Sequence, residues 1–335
     1  MYSKKHIKRI LIINSHGRSG GCVMLSLLCK LLADRGYDAR LMIFPYIDPI
    51  NQFSKIIVWR DWLRYHLYNW MRNKINQLMD IFHCNRRLDT WDFSYEVGKE
   101  CKQYFNPFFS RRHTLVIYPE VLYGNFLGSR YVVRWLLYHY RYSGDMEAYN
   151  KEDLFICYRK IFNDWNLTPS GIETPLTYLE RNRFRQYNFG LRKDHCFLLR
   201  KGHFRDDLPE KFDAPVIDFA SSDDEICRMF NEYTFCYFYD TQTFYTTFAV
   251  ICGCIPIVIP ESGKSRSDYR KESDGIGYGI AYGNSKEEIE FARNTRDKRL
   301  AELDKINQDN NESIERFINA LQTKYFLKRN GIYSE

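Results

Sequence analysis

Two short stretches carry the residues best able to handle an anionic ligand. In YFYDTQTFYTTFAVICGCIPIVIPE, from Tyr237 to Glu261, an Asp and a Thr-rich run stand where a strand gives way to a helix. Free backbone N–H groups and the positive end of the helix dipole gather at such a junction. Asp240, Thr241 and Thr243 can there either cap the helix or hydrogen-bond a ligand. Upstream, LLRKGH puts Arg200 and Lys201 at the end of another strand and before a glycine. Two cations so placed are either a solvated basic turn or a clamp for a diphosphate.

Further candidates lie near the start of the chain. SHGRSGG follows the first apolar run and offers Gly20 and Gly21, which let a backbone approach a ligand closely. The loop lacks the Gly-Lys-Ser/Thr ending of a Walker A loop, and it does not complete Gly-x-Gly-x-x-Gly. His16 in this loop and Glu120 after a later strand are the groups placed to take a proton from a hydroxyl. Each also has a plainer reading: a loop histidine, and a turn carboxylate paired with Arg130 or Arg134.

The elements that must hold these residues alternate. Ile7 to Asn14 reads as a strand, Cys22 to Gly36 as a helix ending on glycine, and Ala39 to Pro45 as a second strand. Such an opening implies a parallel sheet with right-handed crossover. His113 to Glu120 and Asp153 to Tyr158 read as strands, and Ser129 to Tyr140 as a helix with Ser129 as its cap. Trp165 to Pro175, with two Pro and one Gly, breaks the pattern and is the expected domain boundary. Beyond it come strands at His195, Ala214, Thr234 and Ile255, and helices from Ser222 and from about Thr243 to Cys252. The end of the chain is helical. The expected fold is therefore α/β, with two Rossmann-like domains and a cleft between them at the carboxyl ends of the strands. The expected domains are 1–165, 166–320, and a terminal helix and tail at 321–335 that returns to the first domain.

Composition narrows the partners. With 335 residues the chain is long enough for about two domains. A formal charge of +7 favours anionic partners without choosing among them. Basic residues are interleaved with acids rather than gathered in a stripe, which speaks against nucleic acid. The ten cysteines are scattered, with no zinc spacing, and read as reduced. A basic start, a short apolar run at Ile10 to Ile13 and no long charge-free run lead us to expect a cytoplasmic protein without a membrane span.

Taken together, the two opening stretches resemble the donor half of GT-B glycosyltransferases, especially the retaining, glycogen-synthase-like group. That pattern has two Glu eight apart, the second followed by Ala, then Cys-Gly-x-Pro and a strand. Here Asp240 occupies the first Glu position and Phe248 the second, with Ala249, Gly253 and Pro256 following. The second Glu of the family contacts the nucleotide ribose, which Phe248 cannot do. Either the ribose is held otherwise or the branch is divergent. YDTQTFYTTF, YGIAYG at Tyr278 to Gly283 and YPEVLYGNFLGSRYVVRWLL at Tyr118 to Leu137 are similar to a bacterial capsule and lipopolysaccharide branch.

The resemblance implies a metal-independent transferase with no cofactor and a nucleotide-sugar donor. Arg200 and Lys201 would clamp the diphosphate. Asp240, Thr241 and Thr243 would contact the donor phosphate or sugar, and Gly20 and Gly21 would line the loop near it. His16, Glu120 and Asp240 are the catalytic candidates, although in retaining relatives the leaving phosphate itself takes the proton. The acceptor, a glycan or lipid-linked glycan of the cell surface, is expected against Asn125, Arg130 and Arg134. A sugar-nucleotide epimerase of the same fold, or a non-catalytic basic protein binding membrane or nucleic acid, is the alternative.

Lys55 to Phe82 adds a long helix with Ile56, Trp59, Leu63, Leu67, Trp70, Leu78 and Ile81 on one stripe. It is either an inserted helix packing on its own domain or a contact to an anionic inner-membrane surface. In the second case the contacts would be Trp59, Arg60, Trp62, Arg64 and Trp70.

Overall fold

β1 (Arg9–Asn14) is apolar at four successive positions and buried from Ile10 onward. A strand covered on both sides has no solvent face to alternate with, which favours a parallel sheet under helices. The computed structural model, which describes residues 7–17, 19–82, 88–89, 91–93, 95–139, 148–241, 243–269 and 277–325, has this arrangement. α1 (Gly20–Asp34) starts at Ser19, whose Oγ accepts from the Cys22 N–H at 3.2 Å. β2 (Ala39–Ile43) returns parallel to β1. α2 (Lys55–Ile81) and the short α3 (Glu96–Glu100) lead to β3 (Thr114–Pro119), on the other side of β1. β4 (Tyr131–Leu136) and β5 (Leu154–Cys157) extend the sheet, giving the parallel order β2-β1-β3-β4-β5.

A second sheet follows with β6 (Lys193–Leu198), β7 (Val216–Ile217), α4 (Asp223–Glu232) and β8 (Tyr233–Phe238). α5 (Tyr245–Cys252), β9 (Ile255–Val258), α6 (Arg266–Tyr269), β10 (Ala281–Tyr282) and α7 (Lys286–Asp304) complete it. Its parallel order is β7-β6-β8-β9-β10, the order of the first sheet repeated. Gly253 ends α5 in the left-handed region at φ 84°, and a Cβ there would meet the Gln186 side chain at 2.7 Å. Only glycine suits both demands.

The chain divides into two units, Met1–Tyr178 with Gln308–Glu335, and Leu179–Asn307. Each is Rossmann-like, in keeping with a GT-B fold. The division falls later than Trp165 to Pro175 because that segment is still bonded to β5. Cys157 N–H donates to Ile172 O at 2.9 Å, and Thr174 N–H to Cys157 O at 2.8 Å. The first unit regains the chain well before residue 321. α8 (Ile306–Lys324) buries Ile314, Phe317, Ile318 and Leu321 in the core that holds Ile10, Leu28 and Trp135.

One predicted helix is a strand. Of the expected helix Ser129 to Tyr140, Tyr131–Leu136 is β4, buried throughout from Val132 to Leu136. A strand covered on both faces reads as a continuous apolar run, which periodicity alone does not separate from a helix. Ser129 caps nothing there. Its Oγ donates to Thr114 O in the β3–β4 connection.

Candidate functional site

In a sheet of order 2-1-3-4-5 the chain leaves the first strand to one side and later returns to the other. The loops after the first and third strands therefore part at their carboxyl ends, and ligands bind in that crevice. In the first unit those loops follow β1 and β3, and they carry His16 and Glu120. In the second unit they follow β6 and β8, and they carry Arg200, Lys201, Asp240, Thr241 and Thr243.

In the second unit β6 does not simply run out at Arg200. The chain tightens into a 3-10 turn, Arg200–Phe204, with Gly202 N–H donating to Leu199 O at 2.6 Å. Gly202 lies flat against the peptide joining Tyr239 to Asp240, where a Cβ would come within 2.4 Å of Tyr239 C. This contact brings the two predicted stretches together. Arg200 sits at φ 38°, a left-handed conformation that costs a side-chain-bearing residue about 1–2 kcal/mol. Its guanidinium packs over the Tyr245 ring at 4.8 Å and near the Phe219 ring at 5.3 Å. Tyr245 OH donates to Asp223 Oδ1 at 2.7 Å, and Asp223 Oδ2 accepts from Arg183 at 3.0 Å. Strain, two rings and a buried carboxylate thus fix one cation at the crevice, while Lys201 stays exposed.

The β8–α5 junction differs in detail from a simple cap. Asp240 is buried. Thr241 turns to the end of β9, its Oγ1 donating to Glu261 Oε1 at 2.8 Å. Thr243 serves the first turn of α5. Its Oγ1 accepts from Tyr245 N–H at 3.4 Å and its carbonyl accepts from Thr246 Oγ1 at 3.1 Å. Phe248 is half-buried, stacked on Phe184 at 4.0 Å and 9° and packed against the core of this unit. Sequence reasoning missed Asp223, Tyr245, Phe219 and Glu261. Only Asp223 gave a signal, as part of an acidic first helical turn.

In the first unit Glu120 is 8% exposed at the end of β3, and its Oε2 accepts from Leu137 N–H at 2.9 Å. Burial pushes its pKa from 4.5 up to about 7, against the opposing effect of the backbone N–H. Its partner is neither Arg130 nor Arg134. Gly21, in the first turn of α1, faces the Leu137 side chain, while a Cβ at Gly20 would meet open space. His16 Nδ1 is bonded to Tyr65 OH of α2 at 2.6 Å, and its ring meets Phe93 edge-on at 4.8 Å. Burial lowers the His16 pKa, so the ring is neutral at pH 7. Tyr65, raised to about 12, keeps its proton. If Tyr65 donates to Nδ1, the ring proton sits on Nε2 and His16 is a donor; it is a base only in the other tautomer.

Of the expected acceptor-side residues, Arg134 is turned away from any acceptor. Arg134 is fully buried, ion-paired to Asp153 at 2.8 Å, and bonded to the carbonyls of Leu122 and Gly124. It holds the turn that follows Glu120 and offers nothing to an acceptor. Asn125 braces its own loop, donating to Ser129 O at 2.7 Å and accepting from Ser129 N–H and Tyr118 OH. Arg130 is exposed but precedes β4, at the amino edge of a parallel sheet whose crevice opens at the carboxyl edge. The membrane-contact expectation fails at Trp62, which is 4% exposed and packs with Phe44 and Trp59 on the sheet. Trp59 is half-buried beside it, while Arg60, Arg64 and Trp70 are exposed. Among the described residues no group of three or more His, Cys, Asp or Glu side chains is arranged to hold a metal ion.

No protein-family model matches the chain, and neither does any curated protein. Among solved structures, a crystal structure described as the glycotransferase of kitacinnamycin is similar over 96% of both chains, at 11% identity and a TM-score of 0.38. A likeness at that level transfers neither substrate nor mechanism. The repeated five-stranded topology, read from this chain itself, carries the assignment to a mixed α/β fold of two Rossmann-like units.

Proposed function

We propose that the protein is a glycosyltransferase that moves a sugar from a nucleotide-sugar donor to a glycan or lipid-linked glycan acceptor. One observation carries the reading. The Arg200 turn and the Asp240 junction occupy the two loops on either side of the second unit's switch point, pressed together at Gly202. Departure of a nucleotide diphosphate builds negative charge on its terminal phosphate. Cations held in place before the reaction stabilise that charge without reorganising. Arg200, held by its rings, suits this role, with Lys201 as an exposed second cation. Asp240 and Thr243 would contact the donor sugar or phosphate at the start of α5. With an apolar ring at Phe248, the ribose is held by another group.

In the first unit, Glu120 is the better proton carrier. A carboxyl with a pKa near 7 can give or take a proton at neutral pH, whereas His16 depends on its tautomer. The acceptor class, a capsule, O-antigen or lipopolysaccharide-core glycan, rests on the motif resemblance alone. Much of Tyr118 to Leu137 builds the scaffold, so that motif says less about an acceptor than its length suggests.

A thermal-shift panel of nucleotide sugars tests the reading. At least one should raise the melting temperature. Arg200→Ala should weaken its binding about tenfold or more, as loss of a charge-assisted contact does, and Lys201→Ala somewhat less. If no nucleotide sugar stabilises the wild type, the donor-site reading is wrong.

A further inference from the structure

α2 runs for 27 residues, about 40 Å, yet among them only Val58 and Trp62 are buried. Its packed side is clear. Val58 and Trp62 join the core with Phe44, His66 Nε2 bonds to Ile43 O at 3.0 Å, and Tyr65 stacks on Trp91 at 4.6 Å. Asn69 and Asn76 bond the backbone of Trp91 and Leu88. The opposite side is apolar and open. Ile56, Leu63, Leu67, Trp70, Leu78 and Ile81 are between 53% and 83% exposed. At 100° per residue they fall within an arc of about 80°. Arg60, Arg64 and Lys74 lie on or beside that arc, all exposed. The helix's two carboxylates, Asp61 and Asp80, fall outside it, although Asp61 shares the charge of its neighbour Arg60 at 2.9 Å.

We infer that this open face of α2 is a docking surface for an anionic lipid bilayer. Six large apolar side chains held in water are costly, about 1.5–3 kcal/mol each against full burial, so the face has a partner to cover it. The charge pattern selects the partner. A second copy meeting through the same face would set Arg60, Arg64 and Lys74 against their own kind. Anionic headgroups instead neutralise them while the acyl boundary takes the apolar chains. Trp70, with an apolar ring and a polar N–H, suits the headgroup level. No helix among the described residues is long and apolar enough to cross a membrane, so α2 would lie along the surface. The inference is independent of any nucleotide binding by the second unit.

Flotation of the full chain with vesicles tests it. The wild type should float with phosphatidylcholine vesicles doped with phosphatidylglycerol, far less with phosphatidylcholine alone, and less as salt rises. The double variant Leu67→Ser with Trp70→Ser should lose more than tenfold in partitioning. Arg64→Gln or Lys74→Gln should each lose about fivefold, the worth of ~1 kcal/mol per surface cation. Asn73→Ala, exposed on the same helix but off the arc, should bind as the wild type does. All these positions are exposed, so far-ultraviolet circular dichroism should be unchanged in every variant. Wild type that does not float with anionic vesicles, or a serine double variant that floats as well as wild type, overturns the inference. So does a lipid-free dimer that Leu67→Ser converts to monomer, which would make the face a self-association surface.

Discussion

Glu120 is a carboxyl whose burial moves its titration into the neutral range. Below pH 4.5 it is protonated in the folded and the unfolded chain alike, and its contribution to stability is whole. Between about 4.5 and 7 the unfolded chain releases a proton that the folded chain still holds, so that contribution is lost as pH rises. At pH 8 the cost approaches ~3 kcal/mol. Glu120→Gln keeps an acceptor for Leu137 N–H but cannot ionise. We expect urea denaturation to show the variant gaining on wild type by ~2–3 kcal/mol between pH 4.5 and pH 8. Equal slopes would mean that Glu120 titrates normally. If Glu120 also carries the proton in transfer, the same variant should be stable yet nearly inactive. Arg134 behaves in the opposite sense. Arg134→Ala leaves Asp153 buried without its cation, and we expect a loss of about 3–5 kcal/mol with no selective effect on an acceptor's KM.

At the scale of elements, the Arg200 turn depends on one missing methyl group. Gly202→Ala would force a carbon into the Tyr239–Asp240 peptide, where backbone and not a flexible side chain is in the way. Separating the two loops should cost about 1–3 kcal/mol and weaken donor binding at the same time. A variant that binds nucleotide normally would mean that the loops need not touch. α8 shows how an element's role follows from its core. Phe317 is fully buried with Ile314, Ile318 and Leu321 among residues of β1, α1 and β4. Phe317→Ala should destabilise the first unit by about 3–5 kcal/mol, read as an earlier unfolding step by calorimetry.

For the molecule as a whole, two units with separate cores mean that a single melting temperature need not describe it. A ligand stabilises what it binds, so a nucleotide sugar should raise the unfolding step of the second unit. Phe317→Ala should lower the step of the first and leave that nucleotide-dependent shift in place. A nucleotide that instead raised only the first unit's step would put the donor site on the wrong unit.

Much was legible in the sequence because it is local. Ile10 to Ile13, the Gly-ended helix after Cys22, and the Gly253 turn declare a parallel α/β chain through apolar runs and one residue without a Cβ. Arg200, Lys201 and Asp240 could be placed at strand ends because the apolar runs before them stop there. What the sequence could not decide was which way a buried segment packs. Val132 to Leu136 looks the same as a strand or a helix until both its faces are covered. The tertiary structure turned Arg134 inward to Asp153, set Phe248 on Phe184, and laid Trp62 of α2 against the sheet while leaving Trp70 of the same helix in solvent. It also pressed Gly202 against Asp240, across a separation in sequence that no local pattern spans. Composition and periodicity determined the elements. Which side chains remain free for chemistry depended on contacts between residues far apart in the chain, because burial is a property of the packed fold and not of the residue.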